Sequence, residues 1–203
     1  MAQTPNVVPL DGRRARVQRG REAVLDAMLE LVVEGRGQPT AADVAERAGV
    51  STASVFRYFD SLADLEQQMA VRYFQAHADL FELDREGEGP LPQRIDRLVK
   101  ARVRLYGTIA PLARLGRSRA VDNDALDVEL RRSRRGLADQ VRRHFGPELT
   151  HLGRAERDDL AAVLSATVSI EAWDHLRLIH DRTDTQIARA WKHALRTLVP
   201  PAG

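Results

Sequence analysis

The amino-acid sequence predicts an all-α protein. Apolar residues recur three and four positions apart through most of the 203-residue chain, which is the spacing of a buried helix face. No segment alternates between polar and apolar residues over the length of a strand. Segments rich in glycine and proline separate the periodic stretches, most clearly at residues 84–92. A chain of this length forms either one large domain or a small domain joined to a larger one.

Composition narrows the class of protein. The chain has no cysteine, which excludes a disulfide framework, a thiolate metal site and a cysteine nucleophile, and fits a reducing cytoplasm. No run of about 18 apolar residues is present, and the N-terminus lacks the apolar core of a signal peptide. We therefore expect a cytoplasmic protein without a membrane partner. The formal net charge is only +2, but five arginines fall between Arg13 and Arg21.

The first elements are a basic arm and a long helix. Residues 1–16 contain two prolines and mixed charge, and predict a flexible arm. Helical periodicity begins at Val17 and continues to Glu34, where Gly35 and Pro39 follow as stop signals. The arm either stays solvated or contacts DNA phosphates, and its composition leaves both alternatives open.

Residues 40–61 contain an unusual density of helix start and stop signals. Thr40 and Asp43 have the spacing of a capping box, and Gly49 is suited to the left-handed residue that follows a helix. Ser51 then caps a second helix of about two turns, and Ser61 begins the next. Two short helices joined by a glycine-containing turn form a helix-turn-helix.

The second of these helices predicts a surface for DNA. With about 100° between successive residues and Val55 directed to the core, Ala53 and Arg57 point outward. Thr52 and Ser54 can hydrogen-bond to base edges, and Ala53 can contact a thymine methyl. The helix start and stop signals therefore indicate a short helix whose inner side packs on the domain and whose outer side can enter a major groove.

The remaining helices predict a larger domain. Apolar periodicity indicates helices at about residues 62–83, 93–109, 123–145, 154–180 and 185–198, with a short piece after Pro111. The predicted organisation is an arm at residues 1–16, a helix-turn-helix DNA-binding domain at 17–61 and a helical ligand-binding and dimerisation domain at 62–203. The last helix carries a continuous apolar stripe, and the one before it is apolar over much of its circumference.

Residues 40–65 resemble the DNA-binding signature of the TetR/AcrR family of bacterial transcription regulators. The resemblance rests on Val44-Ala45, Ala48-Gly49-Val50-Ser51, Tyr58-Phe59 and Ser61. It implies a homodimeric repressor that binds a palindromic double-stranded DNA operator and is released by a small-molecule effector. Two departures are Phe56, where the family often has tyrosine, and Leu62, where it often has lysine. The DNA-binding residues expected are Thr40, Ser51, Thr52, Ala53, Ser54, Arg57 and Tyr58, with Arg13, Arg14 and Arg16 of the arm.

The same resemblance places effector binding and dimerisation in the larger domain. The expected ligand-binding residues are Phe74, His77, Phe81, Val103, Tyr106, Leu130, Ser133 and Trp173, although each is also typical of a helical core. The expected dimer residues are Leu160, Val163, Leu164, Thr167, Ile187, Trp191, Ala194, Leu195 and Leu198. We expect no cofactor and no metal.

An enzyme and a protein-binding adaptor are the alternatives. The six histidines offer general bases, and Glu171 and His175 have a spacing that can ligate a metal on one helix. No third ligand in a recognisable motif and no GxSxG nucleophile accompany them. An adaptor would use the apolar stripe of the last helix but leave the helix-turn-helix without a purpose.

Overall fold

The structure is a computed structural model that describes residues 10–35 and 38–199. It divides into two compact units, Met1–Ala76 and His77–Gly203. The described residues are all-α, as the sequence predicts, and contain no strand. No helix within these ranges is both long enough and apolar enough to span a bilayer.

Four helices are present in the described residues of the first unit. They are α1 (Leu10–Val33), α2 (Ala41–Ala48), α3 (Thr52–Tyr58) and α4 (Leu62–Ala76). The other three helices pack against α1. Its buried face meets apolar residues from α2, α3 and α4, and the fully buried side chains include Val24, Met28, Val44, Val55 and Leu65. Burial of these side chains is the main force that holds helices this short.

The first helix begins earlier than the sequence predicts. The arm expected at residues 1–16 is partly helical, because α1 starts at Leu10 rather than Val17. After Pro9 the chain offers leucine, alanine and arginines, which favour helix, and adding turns to an existing helix carries no nucleation cost. Residues 1–9 of the expected arm lie outside the described residues.

The fourth helix is shorter than expected and is tied to α1. It ends at Ala76, and a 3₁₀ turn at Ala78–Phe81 replaces the rest of the helix that periodicity placed at residues 62–83. Arg72 of α4 forms ion pairs with Glu22, at 2.6 Å, and with Asp26 of α1. The compact units accordingly divide after α4, whereas the interpretation of the sequence placed the boundary before it.

Up to Val199, where the description of the second unit ends, it contains six α-helices besides the 3₁₀ turn. They are α5 (Leu91–Ala120), α6 (Asp124–His144), α7 (Gly146–Leu149), α8 (Arg154–Thr167), α9 (Ile170–Leu178) and α10 (Asp184–Leu198). The central helix α5 packs against α6, α9 and α10, and α8 packs against α6 and α10. The core between them includes Leu98, Leu105, Leu164, Ile187 and Leu195, all with no exposed surface.

Two predicted helix boundaries in this unit are wrong. The sequence predicts that a helix ends before Pro111, but Pro111 lies inside α5, where buried Ile109, Ala110 and Leu112 hold the helix on both sides of it. The helix expected at residues 154–180 is instead α8 and α9, because the hydroxyl of Ser169 accepts a hydrogen bond from the amide of Ala172 at 3.1 Å and starts a new helix.

A buried polar cluster joins α5, α6 and α7. Arg94 and Glu148 form an ion pair in which both residues are at most 3% exposed, and Arg94 also donates to the carbonyl oxygens of Gly89 and His144. The His144 Nδ1 accepts from the amide of Gly87 at 3.2 Å, and its Nε2 lies 2.9 Å from the Arg94 carbonyl oxygen. This pairing fits a neutral ring with its proton on Nε2. Burial lowers the pKa of His144, with a smaller lowering from the neighbouring Arg94 and Arg97.

Candidate DNA-binding site

The turn between α2 and α3 is set by Gly49. Its φ of 66° and ψ of 32° are left-handed, a conformation that glycine adopts without steric cost. The Gly49 amide donates to the Glu46 carbonyl at 3.2 Å, and the Val50 amide donates to the Ala45 carbonyl at 3.0 Å. These bonds close α2 and turn the chain directly into α3.

Three hydroxyl residues begin the helices around this turn. Thr40 and Asp43 form the predicted capping box of α2. Ser51 accepts from the amide of Ser54 at 3.2 Å at the start of α3, and Ser61 accepts from the amide of Asp64 at 3.0 Å at the start of α4. Each cap satisfies a backbone amide that would otherwise lack a helical partner.

The inner side of α3 is braced by the core of the first unit. Val55 and Phe59 are 1% and 2% exposed, and Val44 of α2 is fully buried. The Arg21 guanidinium lies 4.9 Å from the centroid of the Phe59 ring, so this member of the arginine cluster packs inward. Arg47 of α2 also forms ion pairs with Glu30 of α1 and with Glu34, the residue that follows α1. The helix is therefore fixed by neighbours on one side only.

The outer side of α3 carries a chain of polar contacts. The Ser51 and Ser54 hydroxyl oxygens are 3.0 Å apart, and Arg57 Nη2 donates to the Ser54 hydroxyl at 3.0 Å. The same nitrogen lies 3.4 Å from the Tyr58 hydroxyl, and the guanidinium carbon is 5.2 Å from the Tyr58 ring centroid. The structure thus gathers four of the predicted DNA-binding residues into one surface.

The other predicted residues of the helix-turn-helix are also accessible. Thr52 and Ala53 are exposed at the N-terminal end of α3, where no larger side chain of the helix precedes them. Thr40 is exposed as well, but its hydroxyl donates to Asp43 Oδ2 at 2.6 Å. A phosphate contact at Thr40 therefore requires its amide or a rotated hydroxyl.

Phe56 is a surface residue that the list of DNA-binding candidates omitted. It is 52% exposed on the same helix as Arg57, although a large apolar side chain normally favours burial. Its position one residue before Arg57, on the outward part of the helical wheel, was the signal in the sequence.

The arginines of the expected arm lie on α1. Arg14 and Arg16 are exposed along its N-terminal part, so they occupy a helix rather than a flexible segment. The backbone of Arg13 is helical, and its side chain lies outside the described part of the structure.

The predicted ligand-binding residues are distributed over both units. Phe74 is half-buried on α4 of the first unit, whereas the other seven belong to the second unit. Tyr106 is 2% exposed, its hydroxyl donates to the Val168 carbonyl at 3.0 Å, and burial raises its pKa to about 12. Ser133 is exposed on α6, while His77, Phe81, Val103 and Leu130 are half-buried.

An open groove of about 850 Å³ lies between α5 and α10. Val103 is the predicted ligand-binding residue that lines it, together with apolar Val99 and Ala188 and several charged residues. Both lysines of the chain, Lys100 and Lys192, also line this groove, and Lys192 pairs with Asp96 at 3.0 Å.

Trp173 lies among charged groups. It is 4% exposed, and the guanidinium carbons of Arg114 and Arg177 are 5.9 and 5.8 Å from its ring centroid. Asp174 accepts from both Arg114 and Arg117. Within the described chain, the Trp173 indole nitrogen and Arg117 Nη1 are buried without a hydrogen-bond partner. Such donors are costly unless an acceptor reaches them.

The predicted dimer residues fall into three groups by their burial in the protomer. Leu164, Ile187, Trp191 and Leu195 are at most 2% exposed within a single protomer, so they form its core and offer little surface to a partner. Val163 and Leu198 are 49% and 36% exposed. Leu160, Thr167 and Ala194 are half-buried.

Glu171 and His175, the pair considered as metal ligands, contact other side chains. Glu171 accepts from Arg134 Nε at 2.9 Å, and His175 stacks edge-on with His180 at 5.1 Å between ring centroids. Across residues 10–35 and 38–199, no group of three histidine or acidic side chains is arranged to hold a metal ion.

Comparisons with known proteins agree with this geometry. Residues 25–69 match the model of a family described as bacterial regulatory proteins, tetR family. The fold is similar to that of a transcriptional regulator from Rhodococcus sp. Rha1, with a TM-score of 0.58 and 21% identity over 90% of this chain and 95% of that chain. No curated protein matches the sequence. The family match contains α2 and α3 completely, with parts of α1 and α4.

Proposed function

We propose that this protein, a DNA-binding transcriptional regulator of the tetR family, is a homodimeric repressor that leaves its operator when a small molecule binds the second unit. It acts in the cytoplasm and needs no cofactor. The observation that carries the proposal is the braced helix α3, in which Val55 is buried while Thr52, Ala53 and Arg57 are exposed and Ser54 and Tyr58 are half-buried.

The chemistry of the exposed residues suits double-stranded DNA. Thr52 and Ala53 enter the major groove first and read base edges. Arg57 contacts guanine or phosphate, and Tyr58 directs its hydroxyl to the backbone. Ser51 and Ser54 hold Arg57 in place through the hydrogen bonds described above. Thr40, Arg13, Arg14 and Arg16 add phosphate contacts around this helix.

The homodimer uses the faces of α8 and α10 that the protomer leaves uncovered. Val163 and Leu198 lie at the centre of the contact, with Leu160, Thr167 and Ala194 beside them. The Thr167 hydroxyl already donates to the Val163 carbonyl at 2.8 Å, which leaves its methyl group for a partner. Two-fold pairing of these faces forms a four-helix bundle and requires a roughly palindromic operator.

Effector binding in the second unit favours a state that no longer fits the operator. Two recognition helices bind successive major grooves only when they are about 34 Å apart. An effector that binds better to another arrangement of the dimer shifts the population away from the DNA-binding form.

A DNA-binding assay across a salt series tests the proposal. The probes are the fragment upstream of the protein's own gene and duplexes that the wild-type protein selects from a random pool. We expect specific binding whose affinity falls steeply with salt, since phosphate contacts release counterions. Arg57→Ala and Tyr58→Ala should weaken binding, whereas Arg132→Ala, a change to an exposed arginine of α6, should not. Absence of binding to every duplex at low salt would refute the proposal.

Oligomeric state is tested separately by light scattering. Val163→Asp should give monomers, because a charge at the centre of the interface cannot be paired. Val128→Asp is the matched control, since Val128 is 61% exposed on α6, outside the proposed interface. Monomeric wild-type protein at working concentrations would exclude the dimer.

A further inference from the structure

A glycine in α1 faces the ring of Tyr58. If Gly20 carried a Cβ atom, that atom would lie 2.5 Å from the Tyr58 hydroxyl oxygen, 2.9 Å from Cζ and 3.1 Å from Cε2. Carbon atoms in contact prefer separations of about 3.5–4.0 Å. The absence of a side chain at Gly20 therefore makes the space in which the end of the Tyr58 ring lies.

The close approach of another side chain distinguishes Gly20 from Gly12 and Gly136, two other glycines that lie within helices. Gly12 lies in the same helix, and among the described residues a Cβ built there meets no atom within 4 Å beyond its chain neighbours and its own helical backbone. Gly136 of α6 is equally free of neighbours. Glycine inside a helix costs about 1 kcal/mol relative to alanine. At Gly20, but not at the other two positions, another side chain occupies the space that a Cβ atom would need.

The position of the Tyr58 ring also affects Arg57. The Arg57 guanidinium lies over this ring and near its hydroxyl, and it donates in turn to Ser54. A movement of the ring by about 1 Å, which separation from a new methyl group requires, changes the hydroxyl position and the contact with Arg57 together. The contact at Gly20 is thus linked to the outer side of α3.

We infer that Gly20 is a positioning residue for DNA binding, which acts by seating the Tyr58 ring against α1 so that the Tyr58 hydroxyl and Arg57 are held toward DNA. This inference rests on the proposed function. Tyr58 is the last residue of α3, and Gly20 lies within the long helix α1, so the contact fixes the C-terminal end of α3 to α1. The caps at Ser51 and Gly49 fix its other end.

The experiment compares Gly20→Ala with Gly12→Ala in otherwise wild-type protein. Affinity is measured by fluorescence anisotropy on a duplex that the wild type has selected from a random pool. We expect Gly20→Ala to bind about tenfold more weakly, the effect of losing about one hydrogen bond to a charged group. Gly12→Ala should remain within about twofold of the wild type, because within the described residues its methyl group meets no side chain from another part of the chain.

A double-mutant cycle separates positioning from a direct role of α1. In the Tyr58→Ala background the displaced ring is absent, so Gly20→Ala should cause no further loss of affinity. An equal loss in both backgrounds would overturn the inference, because Gly20 would then act without Tyr58. If Gly20→Ala does not fold and Gly20→Ala/Tyr58→Ala does, the ring cannot move, and the contact is structural rather than positioning.

Fluorine NMR provides a readout that does not depend on DNA. The chain has three tyrosines, Tyr58, Tyr73 and Tyr106, so 3-fluorotyrosine labelling gives three environments, and Tyr58→Phe identifies one of them. Gly20→Ala should shift the Tyr58 resonance, and Gly12→Ala should leave it unchanged. A shifted resonance with wild-type affinity would overturn the role in DNA binding. If the wild type selects no duplex, the proposed function and this role both fail, while the spectra still decide whether Gly20 seats Tyr58.

Discussion

Replacing Arg94 by methionine removes one member of the buried ion pair that joins α5 to α7. Arg94 and Glu148 are 2% and 3% exposed, so the change leaves the Glu148 carboxylate buried without a countercharge. Loss of one partner from such a pair costs about 3–5 kcal/mol. The carbonyl oxygen of His144, which accepts from Arg94 at 2.7 Å, also loses its donor. We expect Arg94→Met to lower the free energy of unfolding by at least about 3 kcal/mol.

The matched variants are Glu148→Leu and the double variant Arg94→Met/Glu148→Leu. Glu148→Leu should cost less than Arg94→Met, because Arg94 keeps its hydrogen bonds to the carbonyl oxygens of Gly89 and His144. The double variant removes both charges and leaves mainly the His144 carbonyl unpaired, at about 1–3 kcal/mol. It should therefore be more stable than Arg94→Met alone.

Tryptophan fluorescence during urea unfolding measures these differences. The two tryptophans, Trp173 and Trp191, both lie in the second unit, so the signal follows the unit that contains the ion pair. The midpoint and slope give the free energy of unfolding for each variant. If the double variant loses the sum of the two single losses, the charges do not compensate each other, and the reasoning from their burial fails.

Three further changes test other features of the fold. Burial lowers the pKa of His144 below its usual 6.5, so as the pH falls the unfolded chain takes up the proton before the folded protein does, and stability should fall below about pH 6.5. His144→Gln should remove part of this decline, and identical urea-unfolding profiles against pH for the variant and the wild type would contradict the burial argument. Gly49→Ala places a side chain at φ 66° and should lower stability by about 1 kcal/mol in thermal unfolding followed by circular dichroism, whereas Gly136→Ala, inside α6, should raise it by up to about 1 kcal/mol. A Gly49→Ala midpoint equal to that of the wild type would show that the turn relaxes. Ser169→Ala removes the cap of α9 and should cost about 1 kcal/mol by tryptophan fluorescence, and an unchanged midpoint would show that packing alone starts this helix.

Local signals in the sequence were sufficient for the helix-turn-helix. The Thr40 capping box, the Gly49 turn and the Ser51 cap each depend on residues within four positions, so their chemistry can be read from the chain alone. The outward position of Ala53 and Arg57 followed from helical periodicity for the same reason. The contact between Gly20 and Tyr58 joins distant positions, and the sequence gives no sign of it.

Tertiary packing decided the boundaries that local signals missed. Pro111 is a helix breaker by propensity, but the buried residues on either side keep α5 continuous. Ser169 has the same capping chemistry as Ser51, yet it stands in an apolar stretch whose periodicity indicated one helix. The sequence predicts the apolar stripe of α10 but not what covers it. In the structure, Ile187, Trp191 and Leu195 of this stripe are buried inside the protomer. Periodicity identifies an apolar face without specifying what covers it.

Proline at position 111 also changes the backbone of α5 one turn earlier. Proline has no amide hydrogen, so the carbonyl oxygen of Gly107 lacks its usual donor four residues ahead. Gly107 lies in the wall of the groove between α5 and α10, and no side chain of its own screens that oxygen. Because Gly107 is an exposed residue, this turn of α5 leaves a main-chain acceptor without its usual helical donor at the groove, where a regular helix would have every carbonyl paired.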